Sequence, residues 1–189
     1  TSSTEEIVGD SELQGPYETQ ATWVQDVLDW VKKRTDVELV IRVHPHLSGQ
    51  TGLGRAEDEF EFYRRMKSCA PANVRVVMPD DSLNSYALMD EADIGLTYGS
   101  SVGIEMALLG KPIVLGSRAF YENGAHIHTI RSREELPELL EKSLLPVSVR
   151  ELRREAFRLA YYQVYRFELP FNLVKKTGVM EVELNYSGH

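Results

Sequence analysis

The sequence has 189 residues and a formal net charge of −8, with 42% hydrophobic and 26% charged residues. This length suits one α/β domain with a real core and is too short for two full-sized ones. The negative balance argues against nucleic acid as the main partner, because its phosphates are bound through net positive surface. The single cysteine, Cys69, excludes an internal disulfide and fits a cytoplasmic protein.

Hydrophobic periodicity predicts an alternation of helices and strands along the chain. Apolar residues spaced three to four apart predict helices over 19–34, 57–69, 83–91, 102–109, 132–145 and 149–167. Runs of β-branched and other apolar residues predict strands over 37–43, 74–78, 94–97 and 112–115. Ser82 is expected to cap the helix 83–91, whose Tyr86 would face the sheet, and 117–129 is interpreted as a loop. This order predicts an α/β fold with a doubly wound, mostly parallel, Rossmann-like sheet and helices on both faces.

The two ends of the chain are interpreted differently from this central part. Residues 1–16 are polar and turn-rich, and we interpret them as a loop that follows a strand further upstream, because the chain opens without methionine. Residues 169–189 are interpreted as a tail without clear structure, which leaves residues 1–168 as the predicted domain. No apolar run is long enough to span a bilayer, and there is no secretory apolar region at the start.

The stretch 96–116, LTYGSSVGIEMALLGKPIVLG, indicates a strand, a glycine-serine turn, a short helix and a buried strand. Gly99 gives the turn its freedom, and either Ser100 or Ser101 is expected to cap the helix that follows. The first N–H groups of that helix have no intrahelical partner, so the turn is predicted to bind a phosphate. The alternative is an ordinary turn, because glycine and serine are common in any strand-to-helix connection.

Other polar residues also follow predicted strands and are therefore expected at the same edge of the sheet. They are His44 and Pro45 after the first strand, Asp81 and Ser82 after the second, and Arg118 and Tyr121 after the fourth. Glu105 stands out as the one charge in a mostly apolar helix. A nucleotide lying across this edge would contact all of these positions.

These residues resemble the C-terminal, donor-binding domain of GT-B glycosyltransferases, and in particular the bacterial surface-polysaccharide group that includes sialyl- and Kdo transferases. The resemblance rests on the HP pair at His44-Pro45 and the SS pair at Ser100-Ser101, in that order. The passage from Ala92-Asp93-Ile94 to Gly110-Lys111-Pro112 also resembles polymerases of teichoic-acid-like chains. The recognisable span is roughly 37–129.

The resemblance implies a role for each matched residue. His44 would donate to the phosphate of the donor, Pro45 would fix the strand exit, and Ser100 and Ser101 would bind the same phosphate. Glu105 would accept from ribose hydroxyls. From position alone, Asp81, Ser82 and Leu83 are expected to meet the nucleobase, and Arg118 and Tyr121 the sugar or phosphate.

The resemblance further implies an inverting sugar transferase of capsule or lipopolysaccharide assembly that uses a nucleotide-sugar donor, with CMP-sugars favoured, and needs no metal or other cofactor. Its acceptor would be a glycan or glycolipid at the inner face of the membrane. The general base is expected from an N-terminal domain of the same polypeptide, because the sequence offers no convincing candidate.

Competing interpretations stay open. His44 before proline is a plain turn residue in many proteins, and Glu105 is a candidate for a surface ion pair. His46, His126 and His128 lack the ligand spacing of a zinc site. The arginines of 149–166 are interpreted as a solvated helix face, with membrane-surface attraction as the second interpretation. Rival functions are a hydrolysing nucleotide-sugar 2-epimerase and a non-catalytic binding module.

Overall fold

The computed structural model describes residues 15–48, 57–166, 174–176 and 182–184, and within these ranges helices and short strands alternate. The helices are α1 Gln20–Val31, α2 Glu57–Cys69, α3 Ser85–Glu91, α4 Val102–Leu108, α5 Leu136–Ser143 and α6 Val149–Tyr161. The strands are β1 Leu39–Arg42, β2 Val74–Val77, β3 Gly95–Thr97, β4 Ile113–Leu115, β5 Ile127–Thr129, β6 Val174–Lys176 and β7 Val182–Leu184.

The described strands form three small sheets. β1 and β2 pair in parallel, and so do β3 with β4 and β4 with β5. The third sheet is an antiparallel pair of β6 and β7. Parallel neighbours need a crossover between them, and helices α2 and α4 supply it between β1 and β2 and between β3 and β4.

Strand β4 lies between two layers of helices. Its residues Ile113, Val114 and Leu115 are all fully buried. Val114 belongs to the core that α1, α2 and α5 share, whereas Ile113 and Leu115 belong to the core under α4 and α6. Because successive side chains of a strand point to opposite faces, β4 is covered on both sides.

Helix α1 covers one face with Trp23, Val24, Val27, Leu28 and Val31, all buried at three-to-four spacing. Thr19 caps it, since its hydroxyl accepts from the N–H of Thr22 at 3.2 Å. The Trp23 ring lies directly over Gly116, where an added Cβ would come within 2.6 Å of it. A side chain at that position would therefore push α1 off the sheet.

The α/β class with parallel strands is confirmed. The single doubly wound sheet is not seen in the described residues, because β1 and β2 form one sheet and β3, β4 and β5 another. The predicted helix 57–69 matches α2, and 102–109 matches α4 to within one residue. The predicted domain boundary at residue 168 lies outside the described residues.

Several local predictions were wrong. Helix α3 begins at Ser85 with Asn84 as its cap, not at Leu83 with Ser82, and its Tyr86 is exposed instead of facing the sheet. The predicted loop 117–129 ends in β5, which pairs with β4. The predicted helix 149–167, in contrast, is confirmed over the described residues 149–166, as α6 followed by a wider π-helical turn, Tyr162–Arg166. Residues 174–176 and 182–184 form strands where a tail without clear structure was predicted.

The half-buried His128 of β5 makes stability depend on pH. Burial lowers the pKa of its imidazole, and the nearby Lys142 and His126 lower it further. The unfolded chain therefore binds the proton more readily than the folded one, so stability falls as the pH drops below about 6.5. We expect the unfolding free energy, measured in urea at pH 7.5, 6.5 and 5.5, to fall less steeply in His128→Gln. If the unfolding free energy falls equally steeply with pH in the parent and in His128→Gln, His128 is not the source of the pH dependence.

Candidate functional site

The Gly99–Ser101 turn lies at the carboxyl end of β3, directly before α4. Gly99 has a φ of 73°, a left-handed conformation that glycine adopts without the strain of a Cβ. The hydroxyl of Ser100 accepts weakly from the N–H of Val102 at 3.4 Å, while the Ser101 side chain makes no capping bond. The expected cap is thus supplied by Ser100 alone.

In the described part of the chain, the main-chain N–H groups of Ser100 and Ser101 have no hydrogen-bond acceptor, whereas those of Gly103 and Ile104 have one. The N–H groups of Gly103 and Ile104 donate to the carbonyls of Ser100 and Ser101, both at 3.1 Å. Within the described part of the chain, nothing accepts from the N–H groups of Ser100 or Ser101 themselves. Adjacent free N–H groups beside an exposed hydroxyl suit an anion, because each donor is fixed by the backbone.

Tyr121 supports the turn from beneath. It is fully buried, and its hydroxyl donates to the carbonyl of Ser100 and lies 3.3 Å from the hydroxyl of Thr97. Burial raises the pKa of this phenol to about 12, so it stays protonated and can donate. The prediction that Tyr121 meets a sugar or phosphate finds no support here, since the side chain is engaged inside the protein.

His44 and Pro45 leave the carboxyl end of β1. Pro45 is exposed and opens a single 3₁₀ turn, Pro45–Ser48, in which the N–H of Leu47 donates to the carbonyl of His44 at 3.1 Å. Buried Val43 anchors the exit, because its N–H donates to the carbonyl of Val77 at 2.9 Å. The half-buried His44 is therefore fixed at the edge where β2 also ends.

The turn after β2 uses Asp81 for its own structure. The carboxylate accepts from the N–H of Met78 at 2.7 Å and from the Lys67 ammonium at 3.1 Å. These two donors, the backbone one first, lower the pKa of Asp81. Asp81 thus holds the turn after β2. Of the predicted nucleobase contacts Ser82 is exposed, while Asp81 and Leu83 are half-buried.

Arg118 follows β4 and lies at the same edge as the Gly99–Ser101 turn. Its guanidinium pairs with Glu122 at 2.8 Å; the Arg118 side chain is 45% exposed and that of Glu122 only 7%. The ion pair lowers the pKa of Glu122. Arg118 is thereby held at the sheet edge, with part of its charge already balanced.

Glu105 pairs with an aromatic residue that the sequence did not single out. Its carboxylate lies near the phenol of Tyr86 and raises the pKa of that phenol. Tyr86 is 64% exposed at the start of α3, while Glu105 is half-buried in α4. The pair places an open aromatic ring next to a carboxylate. In the sequence, the only indication of this contact was that Tyr86 is an aromatic residue two positions after Asn84. The helical spacing of the apolar residues predicted that Tyr86 is buried.

The described ranges offer neither a metal site nor a membrane-spanning helix. They contain no group of three histidine, cysteine, aspartate or glutamate side chains able to hold a metal ion. No helix among them is long and apolar enough to cross a membrane.

Known proteins give no guide to the site. No family model matches the sequence, and searches of curated proteins and of solved structures give no match either.

The contact between Gly103 and Tyr121 gives a test of the turn. We expect Tyr121→Phe to cost about 1 kcal/mol, because the Ser100 carbonyl loses one of its two donors and keeps only the N–H of Gly103. Gly103→Ala should cost roughly 1 to 3 kcal/mol, since the new Cβ would lie 2.8 Å from Cζ of Tyr121 and nearer still to its hydroxyl. Combined, the two should cost less than their sum when unfolding is followed in urea. If the loss of unfolding free energy in the double variant equals the sum of the two single losses, the side chain at position 103 does not clash with Tyr121.

Proposed function

We propose that this chain binds the donor of a sugar transferase, a nucleotide-activated sugar with CMP-sugars favoured, for transfer to a surface or capsular polysaccharide. The observation that supports this most is the Gly99–Ser101 turn, whose two free N–H groups and exposed Ser101 hydroxyl form a site for one phosphate. The HP and SS pairs in their family order support the same proposal.

The site chemistry fits a leaving nucleotide. When a glycosidic bond to a nucleotide breaks, negative charge grows on the phosphate oxygens. Fixed donors stabilise that charge without rearranging, and main-chain N–H groups in a rigid turn are such donors. Tyr121 fixes the turn, so the donors of Ser100 and Ser101 keep their direction. His44 would add a side-chain donor from the neighbouring sheet.

The nucleoside would lie along α3 and α4. Glu105 has the acceptor oxygens that ribose hydroxyls need, and Tyr86 offers an exposed ring beside it. An aromatic face stacks on any nucleobase, worth about 1 to 3 kcal/mol per base in single-strand binding proteins. The sugar would then point towards the end of β4, where Arg118 lies. The base that deprotonates the acceptor is expected from an N-terminal domain of the same polypeptide.

The experiment that tests this is calorimetric titration of the chain with CMP, CDP, UDP, UDP-GlcNAc and CMP-Kdo. We expect one of them to bind, and His44→Ala to weaken binding by about 1.5 to 3 kcal/mol through loss of a hydrogen bond to a charged phosphate. Ser100→Ala and Ser101→Ala should weaken binding less, because the backbone donors remain.

A matched histidine at the opposite edge serves as control. His126 is exposed and directly precedes β5, so it lies at the amino edge of the parallel strands. Its φ of 62° makes asparagine a better replacement than alanine. His126→Asn should bind the nucleotide as the parent does. Equal losses in both variants, or unchanged affinity in His44→Ala, would remove His44 from the site, and no binding of any nucleotide would favour a non-catalytic module.

The role of Glu105 is tested with two ligands that differ only in the ribose. We expect Glu105→Gln to weaken CMP binding by about 1.5 to 3 kcal/mol, since it removes a charged acceptor, and to leave 2′,3′-dideoxy-CMP unaffected. Tyr86→Phe removes the hydroxyl beside the Glu105 carboxylate and keeps the aromatic ring. This variant therefore separates the effect of the hydroxyl from the stacking of the ring on the nucleobase. Equal losses with both ligands would show that Glu105 acts on something other than the ribose hydroxyls.

A further inference from the structure

A narrow apolar cleft separates β1 from β3. Residues 39–42 of β1 form one wall, Leu96 of β3 forms the other, and α1 contributes Trp23, Val24 and Val27. Strand β1 is thus near β3 without pairing with it, since the described strands of the two sheets share no ladder. The cleft lies where the predicted continuous sheet is interrupted.

The main chain of β1 presents an open edge to this cleft. The N–H of Leu39 donates to the carbonyl of Asn73, and that of Val43 to the carbonyl of Val77, both at 2.9 Å. Backbone groups of successive strand residues point to opposite sides, so the N–H and carbonyl of Val40 point away from β2. No described group bonds to them.

Strand β3 presents the matching edge. The N–H of Gly95 donates to the carbonyl of Pro112, and the carbonyl of Thr97 accepts from the N–H of Gly116, both at 2.9 Å. By the same alternation the N–H and carbonyl of Leu96 point away from β4, and no described group bonds to them. Val40 and Leu96 therefore leave unpaired donors and acceptors on the two walls of one cleft.

Two side chains that line the cleft are incompletely satisfied, since Val40 lacks cover and Trp23 lacks a hydrogen-bond acceptor. Val40 is 44% exposed although it lies in the middle of a sheet strand. Trp23 is only 3% exposed, and its indole N–H has no acceptor in the described part of the chain. Buried donors normally have partners. A strand in the cleft would cover Val40 and bring main-chain carbonyls alongside Trp23.

The path of the chain into α1 indicates where such a strand comes from. The carbonyl of Tyr17 accepts from the hydroxyl of Tyr98, which follows β3, at 2.8 Å. Gly15 lies against Gly116, which follows β4, so that an added Cβ would be 2.8 Å from the Gly116 carbonyl oxygen. The chain thus starts towards α1 from the carboxyl edge of the sheet, where a preceding parallel strand would end.

We propose that the cleft is the position of a central parallel strand supplied by this polypeptide ahead of residue 1. A strand followed by α1 and then β1 is a βαβ unit, whose right-handed crossover sets the strand beside β1 and in line with β3. Residues 1–14 have only Ile7, Val8 and Leu13 as large apolar side chains, too few for a strand buried on both faces. With it, the two parallel sheets join in the order β2, β1, new strand, β3, β4, β5.

The test compares the 189-residue chain with a longer one that carries about 20 more residues from the same reading frame, near the length of a strand and its flanks. Amide hydrogen exchange is followed by NMR at Val40 and Leu96. We expect both amides to exchange at least tenfold more slowly in the longer chain. Unchanged exchange would overturn the proposal. So would slow exchange in the 189-residue chain that depends on its concentration, because a second copy would then fill the cleft.

A pair of proline variants separates the two edges of β1. Val40→Pro removes an N–H that faces the cleft, and the control Ile41→Pro removes one that faces β2. In the 189-residue chain we expect Val40→Pro to lower the Tm less than Ile41→Pro does. In the longer chain the two losses should become similar. A Val40→Pro effect that does not grow with the added residues would contradict a strand in the cleft.

Discussion

The burial of β4 on both faces is the constraint on which the rest of the structure depends. Ile113, Val114 and Leu115 exclude water completely, so each face of the strand needs its own layer of helices. One layer is α1 with α5, the other α4 with α6. Because helices cover both faces of the sheet, ligands can reach it at its carboxyl edge, where the loops that follow the strands lie. The candidate site lies there for this reason.

At that edge the protein supports its polar turns from the inside. Tyr121 holds the Ser100 carbonyl, Glu122 holds Arg118, and Asp81 closes the turn after β2. These side chains look like ligand contacts in the sequence because they are polar and follow strands. The structure uses Tyr121 and Asp81 as supports, which leaves the main-chain N–H groups and Ser101 as the open donors. Such a surface binds by fixed dipoles more than by net charge, in keeping with an acidic protein.

Elements with a clear local signal were predictable, either the amphipathic period of a helix or the apolar runs of β1 to β4, whereas β5 has no such signal. Thirteen residues of α2 carry their own amphipathic pattern, so both of its ends were found. Strand β5 has three residues between turn residues, and only its pairing with β4 makes it a strand. Asp81 accepts from the N–H of Met78 within its own turn and from Lys67 of α2, a contact that the sequence does not indicate. Tyr86 was predicted to face the sheet, but α3 begins only at Ser85, so Tyr86 lies in the first turn of the helix, where it is exposed.

The position of Trp23 has an optical consequence. The chain has two tryptophans, Trp23 and Trp30, and both belong to α1. Trp23 stacks over Gly116 and lies 5.8 Å from the ring of Tyr98, while Trp30 lies under the guanidinium of Arg34 at 4.9 Å. All indole emission therefore arises from a single helix and its contacts. Tryptophan fluorescence of this protein reports how α1 is seated on the sheet, and is a local signal instead of an average over the whole fold.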